Sequence, residues 1–314
     1  MVTEREHVPV LLGEVLDALA LRPDGIYVDA TFGRGGHAEA ILARLNDRGR
    51  LLALDRDPQA VQEARKRFGH DARMTMRHGP FSTLGDVVAD AAVIGRVNGV
   101  LFDLGVSSPQ LDDPARGFSF RHEAPLDMRM DSTGGESAAQ WLARAEEEEI
   151  ARVIYEYGEE RFSRRIARAI VHERAQAPIT TTSRLADIAR AAVRTRERGQ
   201  HPATRTFQAI RIFINDELGE IERTLPLAAR ALAPGGRLAV ISFHSLEDRV
   251  VKNFFRDQEK GPAYPPELPV VPTFVPRLRT IGKPVRPGEA EVARNPRARS
   301  AVLRVAERTE ATYV

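Results

Sequence analysis

Apolar residues fall in short blocks separated by longer stretches of helical period. Ile26-Tyr27-Val28, Leu51-Leu52-Ala53-Leu54, Met74 to Arg77 and Gly99-Val100-Leu101-Phe102 read as strands, and Asp29, Asp55 and Asp103 stand at the ends of three of them. The intervening stretches have helical spacing: Ala40, Ile41, Ala43 and Leu45 in one, Pro58 to Phe68 and Leu84 to Val93 in the next two. A further amphipathic segment with Val15, Leu16 and Leu19 precedes the first strand. Strands alternating with helices predict a parallel, doubly wound α/β sheet of Rossmann-like form.

The alternation stops after Asp103. A polar loop runs through Gly117, Pro125 and Gly134-Gly135, and only helical signals appear from Ala138 to about Ile214, with helices starting near Ser183 and Thr204. The sheet resumes with a helix over Asp216 to Leu232 and a strand over Arg237 to Phe243. Ser245 with Asp248 three residues on reads as a capping box opening another helix. Gly261 to Pro287 reads as a proline-rich loop and Ala301 to Val305 as a last strand. The expected organisation is a discontinuous α/β domain, 1–110 with 213–314, holding an all-helical insertion, 111–212.

Composition narrows the chemistry. The chain of 314 residues has no cysteine, which excludes disulfides, thiolate metal sites and a cysteine nucleophile. No apolar run approaches the roughly 20 residues that span a bilayer, and the first residues carry no signal-peptide core, so a cytoplasmic location with no membrane partner is expected. Net charge is only +2, so a nucleic-acid partner has to be met by local patches. Two exist. Twelve arginines between Arg161 and Arg211 face only Glu173, Asp187 and Glu197, and nine Lys/Arg between Thr273 and Arg308 face three acids. Glu146 to Glu149 form an acidic counter-patch that suits a helix start.

The first strand leads into Ala30-Thr31-Phe32-Gly33-Arg34-Gly35-Gly36-His37, a glycine-rich turn at a helix start. No Lys-Ser/Thr follows its last glycine, so it is not a P-loop. Gly33 to Ala38 also fits the dinucleotide pattern G-x-G-x-x-A, and S-adenosylmethionine is the competing ligand. For that cofactor, Asp29 and the Gly35-Gly36-His37 backbone suit the amino-acid end, Asp55 the ribose and Phe81 the adenine. Asp103 closes the fourth strand, where an oxygen acceptor can orient a reacting amine. Without a cysteine, methylation at a pyrimidine C5 is disfavoured against direct transfer. Leu104-Gly105 replaces the Pro-Pro-aromatic of many base-amine methyltransferases. His244 either faces the pocket or is a satisfied structural histidine.

Six stretches, in order and nearly end to end, carry a resemblance: His7 to Leu12 (HVPVLL), Tyr27 to His37 (YVDATFGRGGH), Leu54 to Pro58 (LDRDP), Phe102 to Leu111 (FDLGVSSPQL), Phe243 to Arg249 (FHSLEDR) and Asn295 to Leu303 (NPRARSAVL). Together they resemble the RsmH (MraW) family of bacterial small-subunit ribosomal RNA cytosine-N4 methyltransferases. The resemblance implies S-adenosylmethionine as cofactor and a cytidine of the decoding region as substrate. It implies cofactor contacts from Gly35, Gly36, His37, Asp55, Phe81, Asp103 and Gln110, and an insertion that helps recognise RNA. The Asp-Leu-Gly sequence is then the family's own form. The partner implied is small-subunit ribosomal RNA or the ribosomal subunit, and the sequence is compatible with a homodimer.

Overall fold

The computed structural model describes residues 9–193, 201–261 and 274–313. His7 and Val8, and Arg194, Arg196 and Arg198 of the arginine run, lie outside the described residues, as does much of the proline-rich stretch. The chain divides into two compact units, Met1–Gly105 with Leu218–Val314, and Val106–Glu217.

In the first unit, α1 (Leu12–Leu19) buries Val15, Leu16 and Leu19 on one face. Then follow β1 (Ile26–Asp29), α2 (Gly36–Leu42), β2 (Arg50–Asp55), α3 (Pro58–Phe68), β3 (Met74–His78), α4 (Leu84–Asp90) and β4 (Val97–Asp103). Local chemistry sets the bounds. The Asp57 carboxylate accepts the Gln59 N–H at 3.0 Å and Pro58 fills the first turn of α3. Arg65, Lys66 and Arg67 lie in its last turn, where cations suit the helix dipole.

The second unit is helical: α5 (Ser108–Asp112), α6 (Ala138–Arg144), α7 (Glu147–Gly158), α8 (Ser163–Gln176), α9 (Thr182–Ala192) and α10 (Thr204–Ile214). Its own core is built on Trp141, Ile150, Ile154, Ile166, Ile170, Leu185 and Ile210, each fully buried. Glu147, Glu148 and Glu149 occupy the first turn of α7, so the acidic run is a helix start. The loop before α6 is pinned by buried Asn215, which accepts the Met130 N–H at 2.8 Å and donates to the Met128 carbonyl at 2.7 Å.

The first unit then resumes with α11 (Glu217–Ala231), β5 (Leu232–Ser242), α12 (Ser245–Lys260), β6 (Leu278–Thr280), α13 (Glu289–Arg294) and β7 (Val302–Arg308). Among the described residues the sheet has seven strands in the order β3-β2-β1-β4-β5-β7-β6. Strands β1 to β5 are mutually parallel, and β7 runs antiparallel to both β5 and β6. One apolar cluster, with Val28, Leu52, Val100, Phe102 and Val240, includes α4 and α11 side chains such as Val87, Leu225 and Ala228; the other, with Tyr27, Leu51, Leu101 and Ile241, includes α1 and α2 side chains such as Leu16, Leu19 and Ile41. Residues facing alternately up and down the same strands feed both, so these strands are apolar almost throughout.

Three details depart from the sequence reading. Strand β5 starts at Leu232, which pairs with Val97; pairing breaks over Pro234-Gly235-Gly236 and resumes at Gly99↔Arg237. Strand β6 and helix α13 were not foreseen, since three and six residues are too short to show a period. The box opening α12 uses His244 and Glu247, one residue earlier than Ser245 and Asp248. Asp248 instead takes both Nε and an NH2 group of Arg304 on β7, at 2.7 and 2.9 Å.

Candidate active site

The strand order reverses between β1 and β4, because β2 and β3 lie on one side of that pair and β5 on the other. Ligands of open α/β sheets bind outside the carboxyl ends of the strands at such a reversal. Asp29 and Asp103 end the two strands that flank it, and Asp55 ends β2.

Hydrogen bonds from the following turns fix these ends. Thr31 N–H donates to Asp29 Oδ1 at 3.2 Å, and Thr31 Oγ1 accepts the Asp103 N–H at 2.6 Å. Gly33 N–H donates to Asp55 Oδ2 at 2.7 Å, while Asp55 Oδ1 accepts the Asp57 N–H at 2.8 Å. Asp55 therefore shapes the glycine turn as well as ending a strand. Thr31, which the sequence reading did not single out, is the cross-link between β1 and β4. Its only sequence signal is a hydroxyl two residues past a strand-end acid, the spacing of an Asx turn.

Gly35 caps α2 with φ 75°, and a Cβ there would lie 2.4 Å from the Phe32 ring. A Cβ on Gly36 would lie 2.3 Å from Cγ of Pro9. Both glycines thus make room for protein side chains. Pro9 and Val10 have the same destination: Pro9 packs on Gly36, and the Val10 carbonyl accepts from His37 Nε2 at 3.1 Å. His37 is buried, and its Nδ1 is 3.7 Å from Asp103 Oδ2.

The carboxylates are poorly solvated. Asp29 is 1 % exposed, and burial pushes its pKa up to about 7. Burial, with the charges of Asp29 and Glu247 beside it, pushes Asp103 up to about 8. Burial also raises Asp55 to about 6, against the two N–H groups that favour its charge. Asp29 Oδ2 and Asp103 Oδ1 are buried with no hydrogen-bond partner among the described residues. Unsatisfied buried carboxylate oxygens are costly, so an edge that keeps two of them is built for a cationic or N–H-bearing ligand.

Glu247, fully buried in the first turn of α12, accepts the N–H groups of Phe243 at 2.7 Å and His244 at 3.2 Å. His244 Nδ1 accepts the Glu247 N–H at 3.4 Å and so caps α12, while its Nε2, buried without a hydrogen bond, lies 3.1 Å from Glu247 Oε1. Phe81 opens the turn after β3 and packs edge-on against Phe102, centroids 5.7 Å apart, leaving part of its ring exposed. Gln110 belongs to the helical unit, where its Oε1 accepts the Ser107 N–H at 2.9 Å in the box that opens α5. The first unit thus brings Asp29, Gly35, Gly36, His37, Asp55 and Asp103 to one edge, with Phe81 at the neighbouring strand end.

The arginine run of the helical unit is largely committed. Arg168 pairs with Glu147, Arg184 with Glu173, Arg190 with Asp187 and Arg211 with Glu217. Arg174 donates to the carbonyls of Leu142 and Ala145, and Arg205 to that of Glu159. Arg164 and Arg165 are exposed and make no ion pair among the described residues. No helix among them is long and apolar enough to cross a membrane.

The family model described as the MraW methylase family matches residues 4–309. Among solved structures, an rRNA methylase from Streptococcus thermophilus is 13% identical with a TM-score of 0.43, covering 97% of this chain and 99% of its own. A SAM-dependent O-methyltransferase from Thermotoga maritima is 10% identical with a TM-score of 0.41, covering 99% and 70%. A methyltransferase homolog from Pyrococcus horikoshii is 13% identical with a TM-score of 0.41, covering 93% and 64%.

Proposed function

The chain belongs to the MraW methylase family, and we propose that it methylates the exocyclic N4 amine of a cytidine in the decoding region of small-subunit ribosomal RNA. The methyl donor of this methylase is S-adenosylmethionine. When bound, it supplies a methyl group already activated on a sulfonium. The residues at the carboxyl edge fit it: Asp29 Oδ2, buried with no hydrogen-bond partner among the described residues, suits the ammonium of its amino-acid end.

In this reading Asp29 and the Gly35-Gly36-His37 turn hold the amino-acid end. Asp55 keeps lone pairs for the ribose hydroxyls beyond the two N–H groups it accepts. The exposed part of Phe81 lies against adenine. The helical unit, through Arg164 and Arg165, meets RNA phosphates.

The observation that carries the amine assignment is Asp103 Oδ1, buried and without a partner at the end of β4. An exocyclic base amine is a poor nucleophile because its lone pair is delocalised into the ring. Asp103 Oδ1, accepting one of its N–H hydrogens, favours a more pyramidal nitrogen. The absence of cysteine removes the covalent route to C5. Holding the nitrogen in line with the methyl group is then most of the task, and such positioning supplies roughly 7–11 kcal/mol. The test is tritium methyl transfer to small ribosomal subunits from a strain lacking the enzyme, with mass spectrometry of the product nucleoside. A methyl on N4 of cytidine is expected; a methyl on C5 or on the ribose overturns the reading.

A further inference from the structure

Because β7 runs antiparallel to β5, its first residue, Val302, pairs with Ser242 at the carboxyl end of β5. The segment before it runs the other way: Ile281 N–H donates to the Val305 carbonyl, and Val285 exchanges both backbone hydrogen bonds with Leu303 at 2.9 Å. The chain between Val285 and Val302 therefore leaves and re-enters the sheet at its carboxyl edge. This excursion contains α13 and the short 3-10 turn Pro296–Ser300. Glu291 anchors it, accepting the Leu11 N–H at 2.8 Å; the adjacent Val10 carbonyl holds His37. Two hydrogen bonds thus separate the excursion from the glycine turn.

Its outward side is cationic. Arg286, Arg294, Arg297 and Arg299 are all exposed, against Glu289 and the anchored Glu291. Arg286 and Arg299 make no hydrogen bond or ion pair among the described residues, and Arg294 reaches only the Ala290 carbonyl. Most arginines of the helical unit, by contrast, are already matched to acids or carbonyls. An anchored strip of exposed guanidinium groups on the edge that carries the strand-end carboxyls suits a polyanion whose reacting part is neutral and whose backbone is charged.

We infer that the excursion from Arg286 to Arg299 is a phosphate-binding rim of the catalytic unit itself, gripping the RNA backbone next to the nucleotide that enters the pocket. It rests on the RNA-methylation reading above and adds a second RNA surface to the helical unit. Such contacts release counterions, so each contributes about 0.7 to the slope of log affinity against log salt for a single strand.

The test compares three full-length proteins: wild type, the rim triple variant Arg286→Gln/Arg294→Gln/Arg299→Gln, and a control triple variant Arg48→Gln/Arg50→Gln/Arg96→Gln. The control residues are equally exposed and sit at the opposite, amino edge of the sheet, at the starts of β2 and β4. The probe is a fluorescent single-stranded fragment of small-subunit ribosomal RNA, titrated by anisotropy across a salt series. Calorimetry with S-adenosylmethionine checks that each protein is folded, and methyl transfer to undermethylated subunits is measured in parallel. The rim variant is expected to bind RNA with a slope shallower by about two and at least roughly tenfold weaker at low salt, with normal cofactor affinity. The single variant Arg299→Gln, expected to lose about 0.7 of slope, replaces the triple if the latter misfolds. Wild-type RNA affinity and slope in the rim variant, or an equal loss in the control, would overturn the rim. Failure of the wild type to methylate the subunits would instead overturn the reading it rests on, and the rim with it.

Discussion

His37 stands between the Val10 carbonyl and Asp103, with Nε2 3.1 Å from the first and Nδ1 3.7 Å from the second. A carbonyl only accepts, so Nε2 carries a proton. A neutral ring then presents the Nδ1 lone pair on the side of Asp103. A lone pair facing an ionised carboxylate is repulsive, so the pair favours holding one further proton, on the imidazole or on Asp103. The raised pKa of Asp103, about 8, has the same sense.

Asp103 is therefore the residue whose substitution separates chemistry from binding. Asp103→Asn keeps an acceptor oxygen and is expected to retain part of the activity, while Asp103→Ala loses nearly all of it. Transfer is to be measured at saturating S-adenosylmethionine, so that a binding defect does not pass for a chemical one. A normal rate for Asp103→Ala would remove it from amine orientation.

The three strand-end carboxyls set a pH dependence. Their folded pKa values, about 6, 7 and 8, lie above the unfolded value of about 3.9. The folded chain then holds more protons than the unfolded one between pH 4 and 8, so stability falls as pH rises through this window. The melting temperature of the ligand-free protein should drop from pH 5.5 to 8.5. Asp103→Asn should flatten the upper part of that drop, and added S-adenosylmethionine should stabilise more at pH 8.5 than at pH 5.5. A melting temperature that rises across the window would contradict the burial of these groups.

Asp55→Ala removes two things at once. The ribose hydroxyls lose a charged acceptor worth about 1.5–3 kcal/mol, or roughly ten- to a hundredfold in affinity. Gly33 and Asp57 also lose their hydrogen-bond acceptor, so urea midpoints should fall too. Unchanged affinity by calorimetry would take Asp55 out of the cofactor site.

Gly36→Ala isolates a packing effect. Its backbone is unstrained, but the new methyl would meet the Pro9 ring, and overpacking of this kind costs about 1–3 kcal/mol. Gly35→Ala adds the left-handed φ of 75° to a clash with Phe32 and should be worse. Urea unfolding of the two variants gives the order; equal stability to wild type would mean that neither ring is fixed.

Strands β1, β2 and β4 were legible in the sequence because burial on both faces writes a continuous apolar run, and the acid marks where each strand ends. The start of α3 was legible from Pro58 and that of α10 from Thr204. Strand β5 was read short because Pro234-Gly235-Gly236 hides the pair Val97↔Leu232 behind it. The cap of α12 was misplaced by one residue because a histidine at the cap has no sequence signature as strong as serine. The arginine run misled in another way. A count along the chain cannot see that Arg168 meets Glu147 or that Arg184 meets Glu173, since those partners come from other helices. The two glycines were legible as special, but the rings they accommodate belong to Phe32 and Pro9 and appear only in three dimensions.

Strand β4 ends at Asp103, and its other sheet neighbour, β5, begins only at Leu232. On the ribosome, a half-sheet of β3-β2-β1-β4 emerges long before β5 exists, with the edge of β4 unpaired and apolar while the helical unit is synthesised. That edge is a template for wrong pairing until the last quarter of the chain arrives. The helical unit, whose contacts are local, can close during this wait, whereas joining β5 to β4 must bring together residues more than a hundred positions apart. Refolding is therefore expected in two phases, fast helix formation and slow completion of the sheet, and competence to hold the cofactor should appear only with the second.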